Sequence, residues 1–162
     1  MKKVIIIGCP GSGKSTFGRK LKSITGLPLY HLDMIFWNSD KTTVSRQVFM
    51  ERLQKIMKKP LWIIDGNYFN SMELRFMECD TVFFLDYPTE VCLAGVEARR
   101  GTRRSDMPWV EDGSTDEEFV SFINKFNTAT RPEVMKLIEK YSSKNIVIFR
   151  SREDAEGYLT NR

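Results

Sequence analysis

The stretch Val4-Ile5-Ile6-Ile7-Gly8-Cys9-Pro10-Gly11-Ser12-Gly13-Lys14-Ser15-Thr16 restricts the fold of this chain more than any other. Its first four residues are apolar and β-branched, the composition of a strand buried on both faces. Gly8 to Ser15 then matches G-x-x-x-x-G-K-[ST], the phosphate-binding P-loop. Gly11 and Gly13 have no Cβ, so the backbone can curl and turn its N–H groups inward as an anion nest. Pro10 stiffens the loop. Lys14 carries a positive charge to the β- and γ-phosphates, and the Ser15 hydroxyl is a hard oxygen ligand suited to Mg²⁺. A helix opening at Lys14 adds the positive end of its dipole. The dinucleotide fingerprint G-x-G-x-x-G fails here, because Thr16 stands where its third glycine belongs.

The 162 residues suit one domain with a real core. At 41% hydrophobic and 28% charged the composition is that of an ordinary soluble protein, and no apolar run reaches the length of a membrane span. Met1-Lys2-Lys3 leads directly into the first strand, so no signal peptide is expected. Cys9, Cys79 and Cys92 are odd in number and lack C-x-x-C spacing. They point to a reducing cytoplasm and to neither a disulfide framework nor a zinc site. Cys9 reads as a small filler of the phosphate loop. His31 is the single histidine and cannot build a histidine metal site. The net charge of +4 allows a polyanionic partner without requiring one, because a nucleotide kinase also gathers arginine and lysine around its phosphates.

The rest of the chain alternates strands and helices. A helix over about 14–24 stops near Gly26-Leu27-Pro28, and a strand, Leu29-Tyr30-His31-Leu32, ends on Asp33. Ligands bind at the carboxyl ends of strands in open α/β sheets, which puts Asp33 on the P-loop rim as a hydroxyl acceptor or general base. Met34-Ile35-Phe36-Trp37 reads equally as pocket lining or core. Thr42 or Thr43 is expected to cap a helix running to 58. The strand Leu61-Trp62-Ile63-Ile64 runs into Asp65-Gly66-Asn67-Tyr68, and Asp65 takes the Walker-B position that holds Mg²⁺ directly or through water. A short helix over 71–77 precedes the strand Thr81-Val82-Phe83-Phe84-Leu85. Thr89 is expected to cap a helix ending in Arg99-Arg100-Gly101-Thr102-Arg103-Arg104. Four arginines in six residues repel one another unless an anion sits among them, and such segments stabilise charge on a transferring phosphoryl group. Residues 105–116 read as a flap. Helices over about 116–127 and 131–141, the strand Ile146-Val147-Ile148-Phe149, and a helix capped by Ser151 complete the chain. The pattern gives an α/β fold of three layers, a five-stranded parallel sheet with helices on both faces.

The P-loop, the strand-end Asp65-Gly66, the Arg99-x-x-x-Arg103-Arg104 cluster and the closing strand and helix together resemble the adenylate-kinase-like group of P-loop kinases, over essentially the whole chain. Within it, His31-Leu32-Asp33 with Trp37, and Trp62 through Tyr68, look more closely like the DNA topology modulation proteins. The resemblance implies a sheet order 2-3-1-4-5 and a small lid at about 101–117. It implies ATP and Mg²⁺, with Gly8, Pro10, Gly11, Ser12, Gly13, Lys14, Ser15 and Thr16 around the phosphates. Arg99 matches the arginine that packs on adenine, Arg103 the one that contacts the phosphates, and Arg150 and Ser151 border the adenine. Asp65 matches the acid that orders Mg²⁺. The acceptor side departs from the adenylate kinases. Asn67-Tyr68 replaces a Phe-Pro-Arg type sequence, Asp33 stands where an arginine follows strand two, and Phe122 replaces a late arginine for which Arg131 is the substitute. An aspartate after strand two is more similar to kinases of small hydroxylated metabolites, such as shikimate kinase.

The leading expectation is therefore an ATP- and Mg²⁺-dependent phosphotransferase. Lys14, Arg103 and Arg104 neutralise the γ-phosphate, Ser15 and Asp65 manage the metal, and Asp33 addresses the acceptor. Trp37, Asn67, Tyr68 and Arg131 shape the acceptor site. The acceptor is a nucleoside monophosphate or a similar small hydroxyl or phosphate compound. The alternatives are a nucleotide-dependent DNA-binding regulator and a nucleotide-binding module without catalysis. The expected assembly is a monomer or weak homodimer, with no membrane partner.

Overall fold

The computed structural model describes residues 1–99 and 117–162. Five parallel strands form one sheet in the order β2-β3-β1-β4-β5, the order expected: β1 Lys3–Gly8, β2 Leu29–His31, β3 Trp62–Asp65, β4 Thr81–Leu85 and β5 Asn145–Phe149. β1 lies in the middle, with Ile5 in register with Ile64 on one side and Val82 on the other. Val4, Ile5, Ile6 and Ile7 are fully buried, as a strand covered on both faces must be. The chain passes from β1 outward to β2 and β3 on one side and later to β4 and β5 on the other. That reversal opens a crevice at the carboxyl end of β1, where the P-loop sits.

The helices are α1 Lys14–Thr25, α2 Leu32–Phe36, α3 Arg46–Met57, α4 Phe69–Glu78, α5 Thr89–Ala98, α6 Glu117–Lys125, α7 Arg131–Lys140 and α8 Arg152–Thr160. α1 ends on Gly26 in the left-handed conformation, its N–H closing on the Lys22 carbonyl. Phe17 of α1 packs on Phe83 and Phe149, and Tyr158 of α8 meets both rings, so α1 and α8 share one aromatic seam on the sheet. Among the described residues no helix is long and apolar enough to cross a membrane.

Several local expectations are corrected. α3 is capped by Ser45, whose hydroxyl accepts from Val48 N–H at 3.2 Å; Thr42 is instead held in an Asp40 turn. β2 stops at His31, and Asp33 lies in the first turn of α2 rather than on the strand. α4 is longer than 71–77. Thr89 is the first residue inside α5 and caps nothing; its hydroxyl accepts from the Asn127 amide at 3.0 Å. The expected break between the last two central helices is a π-turn, Phe126–Thr130, leading directly into α7. The expected flap and lid, with Arg100, Arg103 and Arg104, lie outside the described residues.

Candidate active site at the carboxyl edge of the sheet

The phosphate loop is held from two sides. Arg152, at the start of α8, donates to the Ser12 carbonyl at 2.8 Å and to the Gly11 carbonyl at 2.9 Å. From below, α5 comes so close that a Cβ on Gly11 would lie 2.0 Å from the Cys92 carbonyl oxygen, and a Cβ on Gly95 2.0 Å from that of Gly11. Cys9 and Cys92 bury their thiols against each other, and their hydrogen bond followed by burial pushes Cys9 up. Cys9 therefore stays a protonated packing group.

The loop presents donors. Gly13 takes the cap position of α1 in the left-handed conformation and supplies no side chain to the first turn, so that turn faces outward as an anion site. The Ser12 hydroxyl is buried and has no hydrogen-bond partner among the described residues. Lys14 is half-buried and folds back, its Nζ 3.4 Å from the Cys9 carbonyl. Burial holds it below the ordinary lysine range; Asp65 and Asp33 oppose that shift, and the Arg99 charge adds to it. Lys14 thus feels both carboxylates and Arg99 at once. Ser15 is half-buried beside it and Thr16 is exposed.

Asp65 and Asp33 stand on the β2–β3 side. Asp65 ends β3 in register with His31 of β2, and His31 Nδ1 lies 2.6 Å from Asp65 Oδ2. The Tyr68 hydroxyl donates to Asp33 Oδ1. Burial, then the Asp33 charge, raises Tyr68 above the ordinary phenol range, so it remains a donor. Trp37 hydrogen-bonds Tyr68 and packs edge-on to Phe36 at 5.4 Å. Tyr68 itself is in the left-handed region, φ 36° and ψ 66°. Arg75 of α4 fixes that turn. It is fully buried and donates to the carbonyls of Gly66, Asn67 and Tyr68. Burial pushes its guanidinium down to about 9, so it is cationic at neutral pH.

Two expected contacts fall elsewhere. Asn67 is not turned to an acceptor: its amide accepts from Gly8 N–H at 3.2 Å and donates to Gly8 carbonyl at 2.6 Å, strapping β3 to β1. Arg131 does not reach the acceptor side. It forks onto Asp86, just past β4, at 2.8 and 2.9 Å, on the opposite side of β1 from Asp33. Arg150 donates to the same carboxylate, next to Ser151, whose hydroxyl caps α8 by accepting from Asp154 N–H at 3.1 Å. Arg75, Arg152 and His31 are the positioning residues that sequence reasoning missed. His31 stands in the stretch His31-Leu32-Asp33, but neither it nor Arg75 nor Arg152 carries a sign of its partner in the sequence; the fold brings each to the group it holds.

The residues present fit a nucleotide with Mg²⁺. An uncapped helix start, an orphaned buried hydroxyl and a lysine suit phosphate oxygens. The described residues hold no cluster of three metal-binding side chains. Mg²⁺ does not need one, because it takes one or two protein oxygens and completes its shell with phosphate and water. Ser15 and Asp65 would supply those oxygens.

No family model matches the chain. Solved structures do. Shikimate kinase from Acinetobacter baumannii, in complex with shikimate, gives a TM-score of 0.65 at 15% identity over 99% of this chain and 90% of that one. Shikimate kinase from Bacteroides thetaiotaomicron gives 0.59 at 17% over 98% and 94%. The enzyme from Aquifex aeolicus gives 0.54 at 19% over 98% and 91%. The fold is shared with shikimate kinases. The five-stranded parallel sheet in the order 2-3-1-4-5 is the one the sequence resemblance implied. The narrower resemblance to the topology modulation proteins rests on His31-Leu32-Asp33 with Trp37 and on Trp62 through Tyr68 alone.

Proposed function

We propose that this chain is an ATP- and Mg²⁺-dependent phosphotransferase acting on a small hydroxylated acceptor. The observation that carries the proposal is the setting of Lys14 in the P-loop within the field of two carboxylates, Asp65 at the end of β3 and Asp33 in α2, the second oriented by Tyr68. Bound Mg²⁺ supplies charge neutralisation at the β- and γ-phosphate oxygens. Lys14 exchanges the Cys9 carbonyl for those oxygens. Ser15 and Asp65 hold the metal's shell, with His31 fixing the Asp65 carboxylate. Asp33, oriented through Oδ1 by the Tyr68 hydroxyl, positions the attacking hydroxyl and takes its proton. Phosphoryl transfer through a loose transition state asks mostly for such positioning. Arg99 provides positive charge from the α5 end, Arg103 and Arg104 are the further arginines the sequence assigns to the phosphates, and Arg150 and Ser151 border the base. Trp37 and Tyr68 shape the acceptor pocket.

A carboxylate at the acceptor position favours a hydroxyl over a phosphate, whose negative charge it would repel. The nucleoside monophosphate reading is set behind the hydroxyl one on that ground. The DNA-binding reading gains nothing from the fold. ADP release from Mg-ATP, with and without a pool of hydroxylated metabolites and nucleoside monophosphates, tests the proposal. The pool should stimulate release, and Lys14→Ala should lower it by about a hundredfold, the scale of losing one charge-stabilising donor. A flat background indifferent to Lys14 would refute it.

A further inference from the structure

Beside Tyr68 the surface opens into a cavity of about 450 Å³ between α2, α3 and α4. Its wall is aromatic: Phe36 and Tyr68 rings lie 5.0 Å apart, Phe49 and Tyr68 5.3 Å, Phe36 and Phe49 5.7 Å. Met50 adds a polarisable apolar side chain. Ser71 lines it too, but its hydroxyl is already spent on the Tyr68 carbonyl. Among the described residues Arg46 is the only charged one in the lining, and it is exposed. The Tyr68 ring belongs to this cavity while its hydroxyl belongs to Asp33, so the cavity and the proposed catalytic carboxylate share one side chain.

Resting on the phosphotransferase reading, we infer that this cavity takes the body of the acceptor, and that the acceptor is a compact aromatic compound carrying one anionic group and a free hydroxyl. Three properties of the cavity lead there. Its size is that of a small-molecule site. Its three rings offer edges and faces to a planar ring, and with the Asn70 amide as the one neutral polar side chain still open there, most hydroxyls of a polyol would lose water without gaining partners. Each such hydroxyl left unpaired weakens binding by roughly tenfold. Its single cation matches a single anion and falls short of what a nucleoside monophosphate kinase needs to hold a dianionic acceptor phosphate. The acceptor's hydroxyl then lies at the Tyr68 end, where Asp33 removes its proton as the oxygen bonds to the γ-phosphorus and the bond from that phosphorus to the ADP oxygen breaks.

The test is calorimetric binding to the intact chain with four probes: 4-(hydroxymethyl)benzoate, its neutral amide, shikimate as a polyhydroxylated acid, and adenosine monophosphate. The benzoate should bind tightest, exceeding the amide by ~fivefold, the scale of an exposed ion pair. Arg46→Ala, at an exposed position, should abolish that preference while leaving the amide unchanged. Tighter binding of shikimate or of the monophosphate, a charge preference that survives Arg46→Ala, or no binding by either aromatic probe would each overturn the inference. ADP release with the same probes separates the two levels. If polyols stimulate release and aromatic acids do not bind, the phosphotransferase stands and this inference falls. If the benzoate binds through Arg46 and no acceptor stimulates release, the pocket stands and the phosphotransferase falls.

Discussion

Tyr68 occupies a left-handed backbone conformation that costs a residue with a Cβ roughly 1–2 kcal/mol, and the turn keeps it because Arg75 grips all three carbonyls of residues 66–68. The result is a phenol aimed at Asp33. Tyr68→Phe should therefore leave the fold intact and lower kcat about tenfold, the worth of one hydrogen bond to a charged group, with a smaller change in KM for ATP. Steady-state ADP release measures both, and an unchanged kcat would remove Tyr68 from the positioning of Asp33. At this scale the P-loop residues were readable because each one's chemistry is tied to a fixed spacing. Arg75 was not: a guanidinium amid a helix is ordinarily a surface residue, and nothing local announces that it is buried among carbonyls. Asn67 misled for the related reason that an amide next to a catalytic strand end serves a backbone as readily as a ligand.

At the scale of elements, periodicity revealed every strand and most helices, while caps and contacts between distant elements stayed hidden. Ser45 and Thr42 are equally good capping residues; which one caps α3 is decided by the Asp40 turn before it. The approach of α5 to the P-loop is a second such contact. Alanine at Gly95 would bring a methyl onto the Gly11 carbonyl, so the helix or the loop must move. Gly95→Ala should destabilise the protein by about 1–3 kcal/mol and raise the ATP Kd, read by thermal unfolding and nucleotide titration. An unaltered Kd would show that the loop does not depend on this packing. Asp80, ahead of β4, accepts from the N–H groups of Lys2 and Lys3 at 2.8 and 2.9 Å and from the Thr81 hydroxyl at 2.6 Å, pinning the start of β1 to β4. Burial works against its charge, but the bonds from Thr81, Lys3 and Lys2 prevail and hold it below the usual aspartate value. A carboxyl depressed on folding contributes stability above its unfolded value, near 3.8, and loses it as pH falls through the folded one. Asp80→Asn should cost about 1 kcal/mol at pH 6 and lose less stability than the wild type between pH 4 and pH 2 (urea midpoints across that range decide it). Equal acid slopes would mean that other carboxyls govern the acid limb.

Across the whole molecule, the sheet order divides the labour. β1 leads into the P-loop, the β2–β3 side holds Asp33, Asp65 and Tyr68, and the β4–β5 side holds Asp86 with Arg131 and Arg150. Arg131 was misplaced in the sequence reading because its position along the chain says nothing of which side of β1 its helix returns to; the crossovers decide that. The division makes a prediction about the intact chain. If the loop's donors, the Ser12 hydroxyl and Lys14 exist for phosphate oxygens, then ATP binds the folded state alone and stabilises it by mass action, by about 2.7 kcal/mol at a hundredfold excess over Kd. For a chain of this length that is a rise in Tm of roughly 5–10 °C. With the base placed at Arg150 and Ser151 as proposed, adenosine would reach only the β4–β5 side and should produce a small fraction of that shift. Lys14→Ala should narrow the gap between the two ligands, because it removes a phosphate contact and leaves the base side untouched. Thermal scans of both proteins with each ligand read the difference directly. A full shift from adenosine, or a gap unaffected by Lys14→Ala, would place the binding energy on the base and take the phosphate loop out of the account.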